Sequence, residues 1–159
     1  MHYLVRLIIE ADDAPEANNQ AEWVVDDLLE WKEFDWYYTS ADDSGWEDCW
    51  KPVRLNTKKG RAMVDEAMRE QLDEFKLSIE AIRHMVTHYT DEQLFNEEFE
   101  QNVPGHYLSR YQFAKASGYH RNSCQLFNTD AGSITNQKEL DLYLNKPKGL
   151  WVVQVDCHN

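Results

Sequence analysis

Apolar strands are predicted at the two ends of this chain, and one core has to accommodate both. Residues 2–10, HYLVRLIIE, form a near-continuous apolar run with β-branched residues, which is typical of a strand covered on both faces or placed centrally in a sheet. Residues 150–157, LWVVQVDC, form a second apolar strand. This pair constrains the fold more than any other feature of the sequence.

Helical patterns fill much of the chain between these strands. A first helix follows the DDAP turn, and Pro15 stands where a first-turn proline is tolerated. A long helix at about 57–89 has apolar residues in alternating steps of three and four, and Thr90 with Gln93 fits a capping box. The predicted strands are 2–10, 34–40, 49–55, 106–114, 123–128 and 150–157, and the predicted helices are 15–31, 57–88, 90–101 and 135–144.

This order predicts an α+β fold. It resembles the ferredoxin-like split β-α-β arrangement, in which a mixed or antiparallel sheet packs on helices, with an extra helical insertion. The resemblance concerns element order alone, and that arrangement carries many unrelated functions. A chain of 159 residues is long enough to bury a core as one domain, so we expect a single domain over residues 1–159.

Composition points to a cytoplasmic protein. Cys49, Cys124 and Cys157 are odd in number and widely spaced, which suits reduced thiols better than a disulfide framework. The sequence contains no apolar run of membrane-spanning length, and the N-terminal apolar segment is closed by acids rather than by a cleavage site. We therefore expect neither membrane insertion nor export.

The formal net charge of −13 is concentrated in one quarter of the chain. Residues 10–48 hold fourteen carboxylates and a single base, Lys32, whereas acids and bases nearly balance after residue 48. A general adaptation for solubility would spread the charge more evenly. Direct binding to nucleic acid is disfavoured at an isoelectric point near 4.8, because phosphate would repel the chain.

The first predicted helix carries a row of carboxylates on one side. Glu22, Asp26 and Glu30 are four residues apart and therefore repeat every ~6 Å along the helix axis. Glu33 extends the row if the helix continues, and Asp27 lies beside it. Like charges at this spacing destabilise a helix, and acids near its C-terminal end oppose the helix dipole.

Two interpretations of this acidic face stay open: a solvated helix surface, or a surface that docks on a basic partner. A line of carboxylates can present charge to a basic groove much as a phosphate backbone does. The second interpretation predicts a non-enzymatic interaction protein that binds a basic partner surface. In its extreme form it predicts an inhibitor, of the kind that phages and mobile elements encode, that mimics nucleic acid and blocks a nucleic-acid-binding protein. The predicted partner-binding residues are Glu22, Asp26, Asp27, Glu30, Glu33, Asp35, Asp42, Asp43, Glu47 and Asp48.

Tryptophans at positions 23, 31, 36, 46 and 50 are interleaved with these acids. Tryptophan is enriched at the energetic centres of interfaces, but it suits a core equally well. For Trp23 and Trp36 we favour the core.

His84 and His88 support an alternative hypothesis, a metal-assisted hydrolase or phosphoesterase. Two histidines four residues apart on a helix can face one metal ion, although no third ligand is evident from the sequence. The sequence has no phosphate-binding glycine loop, so no cofactor is expected. It also has no nucleophile elbow that would indicate a catalytic serine. A third hypothesis is an assembly subunit whose long helix pairs with its own copy.

Overall fold

A computed structural model describes residues 2–103, 106–110, 112–113 and 125–159. The strands are β1 (His2–Glu10), β2 (Trp36–Tyr37), β3 (Val53–Arg54), β4 (Asn102–Val103), β5 (His106–Tyr107), β6 (Leu126–Asn128) and β7 (Leu150–His158). The helices are α1 (Ala14–Glu30), α2 (Lys58–His88), α3 (Asp91–Phe95) and α4 (Gln137–Leu144).

The chain forms two compact units, Met1–Arg69 with Cys124–Asn159, and Glu70–Ser123. The first unit contains α1, α4, the beginning of α2 and a five-stranded mixed sheet. The second contains the rest of α2, α3 and the two-stranded sheet of β4 and β5. The predicted α+β class is confirmed.

The terminal strands form the centre of the larger sheet. β1 pairs antiparallel with β7 along its whole length, from His2 opposite His158 to Glu10 opposite Leu150, and it pairs parallel with β6. The strand order is β2-β7-β1-β6, and β3 also pairs with β7. Because β2 and β3 both lie on β7, this order does not confirm a ferredoxin-like arrangement.

The two faces of this sheet differ in chemistry. The odd-numbered residues of β1 and β7 face α1 and are apolar, as at Leu7 and Val153. On the other face, Ile8 and Val152 pack under the beginning of α2 and under α4. Farther along that second face the even-numbered positions become polar and include Arg6 and Asp156, each 1% exposed.

Helix α1 is closed at both ends by local hydrogen bonds. The Asp13 side chain caps the N-terminus by accepting from the Glu16 backbone N–H. At the C-terminus, Lys32 has a φ of 63° and Glu33 N–H donates to the Leu28 carbonyl, which is a Schellman closure. The chain therefore reverses after Trp31, and the helix does not continue to Glu33.

The second unit differs from the prediction in two places. The capping box at Thr90 is present, but α3 ends at Phe95 rather than near residue 101, because Glu97 adopts a φ of 58° that cannot continue a helix. The strand predicted at 106–114 is wrong at residues 110 and 112–113, which are helical, and residues 111 and 114 lie outside the described residues. A short run of alternating apolar residues does not distinguish a strand from a helix.

Cys124 and the beginning of the strand predicted at 123–128 lie outside the described residues.

No helix among the described residues is both long enough and apolar enough to cross a membrane.

Candidate docking face on the first helix

The outward face of α1 is an exposed tryptophan within a group of carboxylates. Ala21, Val25 and Leu28 turn toward the sheet and are buried, which directs the residues between them to solvent. Trp23 is 69% exposed, so its assignment to the core is wrong. The outward face, hereafter the acidic tryptophan face, consists of Glu22, Trp23, Asp26, Asp27 and Glu30, all of which are exposed.

The charge of this face is not compensated within its own helix. Helix α1 contains no lysine or arginine, and its last turn has no basic residue. Trp23 lies three and four residues before Asp26 and Asp27, so both carboxylates neighbour the indole ring on the helix surface. The acidic tryptophan face therefore combines a large apolar group with concentrated negative charge.

Tyr37 anchors the edge of this face to the sheet. Its hydroxyl donates to Asp26 Oδ1 at 2.6 Å. Burial, and then this bond to a carboxylate, raise the pKa of Tyr37 above its usual range. This bond links one exposed carboxylate of the row to the sheet.

Glu33 does not belong to the exposed row. It is only 7% exposed because the Schellman reversal at Lys32 turns the chain back toward the sheet, where Tyr3 donates its hydroxyl to the Glu33 carbonyl. The next acid, Asp35, is exposed, and its backbone N–H donates to the His158 carbonyl. The predicted extension of the row through Glu33 is wrong because the helix ends first.

The acids of the 39–50 loop make local contacts. Asp43 accepts from Ser40 at 2.9 Å, and Asp48 pairs with Lys59 at 2.8 Å with both side chains about half exposed. Asp42 and Glu47 are exposed. The loop contacts α1 through Trp50, whose carbonyl accepts from the Asn18 side chain at 3.0 Å. None of the acids of the loop takes part in this contact.

His84 and His88 do lie on one side of α2, as predicted from their spacing. Their rings stack with centroids 4.1 Å apart, and His88 Nδ1 lies 2.9 Å from the His84 carbonyl oxygen. A carbonyl only accepts, so this contact places a proton on Nδ1 of His88. Within the described ranges, no group of three or more His, Cys, Asp or Glu side chains is arranged to hold a metal ion.

An aromatic cluster that was not predicted from the sequence lies at the end of the central strand pair. His2 and His158 are opposite each other in register, with ring centroids 5.2 Å apart. Trp36 stacks on His158 at 5.0 Å, and Tyr38 stacks on His2 at 5.7 Å. Trp36 is 39% exposed, so its assignment to the core is also wrong. The cluster covers the end of the sheet and is partly exposed to solvent.

A buried carboxylate lies next to this cluster. Asp156 is 1% exposed, and it contacts His2 Nδ1 and accepts from the Ser44 hydroxyl, each at 3.2 Å. Cys49 lies nearby, and burial is the main cause of the raised pKa of its thiol. These contacts fasten the acidic loop to β7. The sequence did contain an indication of these buried polar residues. Gln154, Asp156 and His158 alternate with apolar residues, which is the period of a strand with two different faces.

These features define the chain as an α+β protein with a five-stranded mixed sheet and an exposed acidic helix face. A family model described as a domain of unknown function, DUF7995, matches residues 1–159, and the chain therefore belongs to that family. Searches of the curated proteins and of the solved structures found no match.

Proposed function

We propose that this protein is a non-enzymatic interaction protein whose acidic tryptophan face docks on a basic protein surface. The observation that carries the proposal is the 69% exposure of Trp23 within four exposed carboxylates. Tryptophan is among the side chains most often found at the energetic centre of an interface, surrounded by groups that exclude water. The flanking carboxylates add electrostatic steering toward a basic partner.

The stability cost of this face supports the proposal. Asp26 and Glu30 are four residues apart, and Glu30 lies in the last turn, where negative charge opposes the helix dipole. Alternating charges would solvate the helix equally well without this repulsion. A binding role supplies a reason for this arrangement that solvation alone does not.

A finer form of the proposal is mimicry of nucleic acid. The row formed by Glu22, Asp26 and Glu30 has a pitch of ~6 Å, about twice the 3.4 Å spacing of phosphates along one strand of duplex DNA. The partner is then a nucleic-acid-binding protein, and this chain acts as its inhibitor by occupying the basic groove. The phage or mobile-element origin belongs to the same proposal.

The test uses a neutralised variant and a control with the same change in net charge. The neutralised variant is Glu22→Gln, Asp26→Asn, Glu30→Gln; the amide introduced at position 26 still offers an acceptor to the Tyr37 hydroxyl. The control is Glu98→Gln, Glu100→Gln, Asp130→Asn, three exposed positions outside α1. The probes are purified nucleic-acid-binding proteins with a basic groove, each loaded with a fluorescent duplex.

We expect the wild-type protein and the control to displace the duplex from at least one probe, and the neutralised variant to fail. Displacement should weaken as salt rises, because the Debye length falls from about 10 Å at 0.1 M to about 3 Å at 1 M. Salt-sensitive binding without displacement would support docking and overturn mimicry. Equal binding by the neutralised variant and the control would overturn both.

Trp23→Ala tests the aromatic anchor separately from charge. We expect affinity for the same probe to fall at least about tenfold, since truncated interface tryptophans commonly cost about 2 kcal/mol or more. The thermal midpoint should stay unchanged because Trp23 is 69% exposed. A loss of affinity with Trp31→Ala alone would instead place the anchor at the end of the helix.

Two finer assignments accompany this proposal. The position of β1 between a parallel β6 and an antiparallel β7 supports a relation to the split β-α-β arrangement, with β2 and β3 displaced onto β7. A cytoplasmic location is supported by Cys49 and Cys157, which are buried free thiols.

A further inference from the structure

A pair of aromatic rings flanks one side of the acidic tryptophan face. Tyr37 and Trp50 are partly buried, and their ring centroids lie 6.1 Å apart with the ring planes tilted by 45°. Asp26 accepts from the Tyr37 hydroxyl, and Asn18 donates to the Trp50 carbonyl. Two positions of α1 therefore hold this aromatic pair beside the helix.

Glu22 lies between these two contacts. Asn18, Glu22 and Asp26 are four residues apart, so they follow one another along the same side of α1. Because its neighbours in this row contact Trp50 and Tyr37, Glu22 is level with the aromatic pair. The pKa of Tyr37 is raised by burial, by the bond to Asp26, and then by the charges of Asp26 and Glu22. The Glu22 carboxylate therefore lies within electrostatic range of the Tyr37 hydroxyl.

The Glu22 carboxylate is not engaged by the protein itself. It makes no hydrogen bond or ion pair with any residue that the structure describes. Lys51 follows Trp50 directly, but its ammonium group donates to the Glu47 carbonyl. Lys32 lies after the end of α1, about three helical turns beyond Glu22. A cation from outside can therefore pair with Glu22 without displacing an internal partner.

The indole ring of Trp50 is held in place by the protein. Its ring N–H donates to the Tyr38 carbonyl at 2.6 Å, and its backbone N–H donates to the Gln154 carbonyl at 2.9 Å. Its own carbonyl accepts from Asn18. A side chain that is fixed before binding loses little conformational entropy when a ligand arrives, which favours affinity.

A carboxylate beside two aromatic rings has the chemistry that recognises a guanidinium group. The planar guanidinium can donate two parallel hydrogen bonds to a carboxylate and can stack on aromatic rings, whereas the lysine ammonium is a compact, strongly hydrated point charge. The same chain shows the stacking part of this chemistry elsewhere, because the Arg54 guanidinium lies 4.3 Å from the centroid of the Trp151 ring.

We propose that Glu22, Tyr37 and Trp50, hereafter the arginine subsite, bind one arginine side chain of the basic partner. The proposal rests on the docking role of α1 and names the side chain that this surface recognises. Carboxylates alone would attract arginine and lysine through their equal charge. The aromatic pair adds a preference for arginine, so recognition depends on the kind of cation as well as on charge.

Two fluorescent peptides of equal length and charge test the proposal, an oligoarginine and an oligolysine. We expect the wild-type protein to bind the oligoarginine at least about threefold more tightly at low salt. Glu22→Gln should abolish this preference. Asp27→Asn is the matched control, because it removes one charge from the same exposed side of α1 outside the subsite. It should weaken the binding of both peptides and keep the preference.

Nuclear magnetic resonance locates the bound arginine in the wild-type protein, where no substitution can disturb folding. The oligoarginine should shift the indole N–H signal of Trp50, with the same midpoint as the fluorescence titration. The indole signal of Trp46 is the internal control, because this residue is 46% exposed in the same loop but lies outside the subsite. It should change less.

Three results would overturn the arginine subsite. The first is equal affinity of the wild-type protein for the two peptides, including no binding of either. The second is a preference that Glu22→Gln and Asp27→Asn change to the same extent. The third is a Trp50 signal that stays fixed at saturating oligoarginine. None of them decides the docking role of α1, which the duplex-displacement test measures separately.

Discussion

Neutralising two acids of α1 is expected to stabilise this protein. The double variant Glu22→Gln, Glu30→Gln keeps Asp26 and its bond to Tyr37 but removes every like-charge pair made by the two acids on the helix surface. Glu22 repels Asp26 four residues on, and Glu30 repels Asp26 and Asp27. Each pair costs about 0.2–0.5 kcal/mol, and a negative charge at the C-terminal end costs about 0.3–1 kcal/mol more.

These terms sum to a gain of about 1–2.5 kcal/mol at low ionic strength. For a chain of this length the gain corresponds to a rise of about 2–8 °C in the thermal midpoint. Circular dichroism during heating measures the midpoint, and hydrogen exchange of the Val24 and Val25 amides locates the gain in α1. At about 1 M salt the gain should largely vanish, because the Debye length of about 3 Å is shorter than the spacing of the acids.

The control Glu98→Gln, Glu100→Gln removes the same two negative charges and lies outside α1. It separates relief within the helix from relief of the general charge of −13. If the α1 variant gains no more stability than this control at low salt, the row of carboxylates does not strain the helix. The stability argument for a binding role would then fail.

Three further perturbations test the fold and its polar contacts. Asp156→Ala should destabilise the protein by about 1–3 kcal/mol in urea titration, because it removes the acceptor of the Ser44 hydroxyl. Gly60→Ala should lower the thermal midpoint, since a Cβ atom there would meet the carbonyl of Arg54. Stability should fall above about pH 10, since the raised pKa of Tyr37 makes ionisation harder in the folded state, and Tyr37→Phe should flatten that decline.

Each of these has an outcome that contradicts it. Asp156→Asn retains an acceptor oxygen and should cost less than the alanine variant; an equal loss would mean that the hydrogen bond is not the cause. Gly45→Ala serves as the glycine control because its Cβ would meet no atom within 4 Å, and it should leave the midpoint unchanged. A wild-type alkaline profile identical to that of Tyr37→Phe would show that Tyr37 does not control it.

The prediction that Trp23 lies in the core was wrong because it relied on the residue type and not on the position of Trp23 around the helix. Ala17, Ala21, Val24, Val25 and Leu28 already define the buried stripe of α1, and Trp23 falls outside it. Helical spacing therefore directed the indole to solvent. The same spacing correctly placed Glu22, Asp26 and Glu30 together on the outward face.

Local patterns were enough for several features of this protein. The two terminal strands were readable because apolar, β-branched runs depend on neighbouring residues alone. The beginning of α1 followed from its first-turn proline, and the capping box at Thr90 marked the beginning of α3. The concentration of charge before residue 48 is likewise a property of the sequence. None of these required knowledge of what each segment packs against.

Only the tertiary structure decided which residues meet. The pairing of His2 with His158 joins the two ends of the chain, and it depends on the register of β1 against β7. The burial of Glu33 depends on Lys32 adopting a left-handed conformation that its residue type does not favour. Contacts between distant residues and conformations against local preference are set by the packing of the whole unit, and a local reading of the sequence does not contain them.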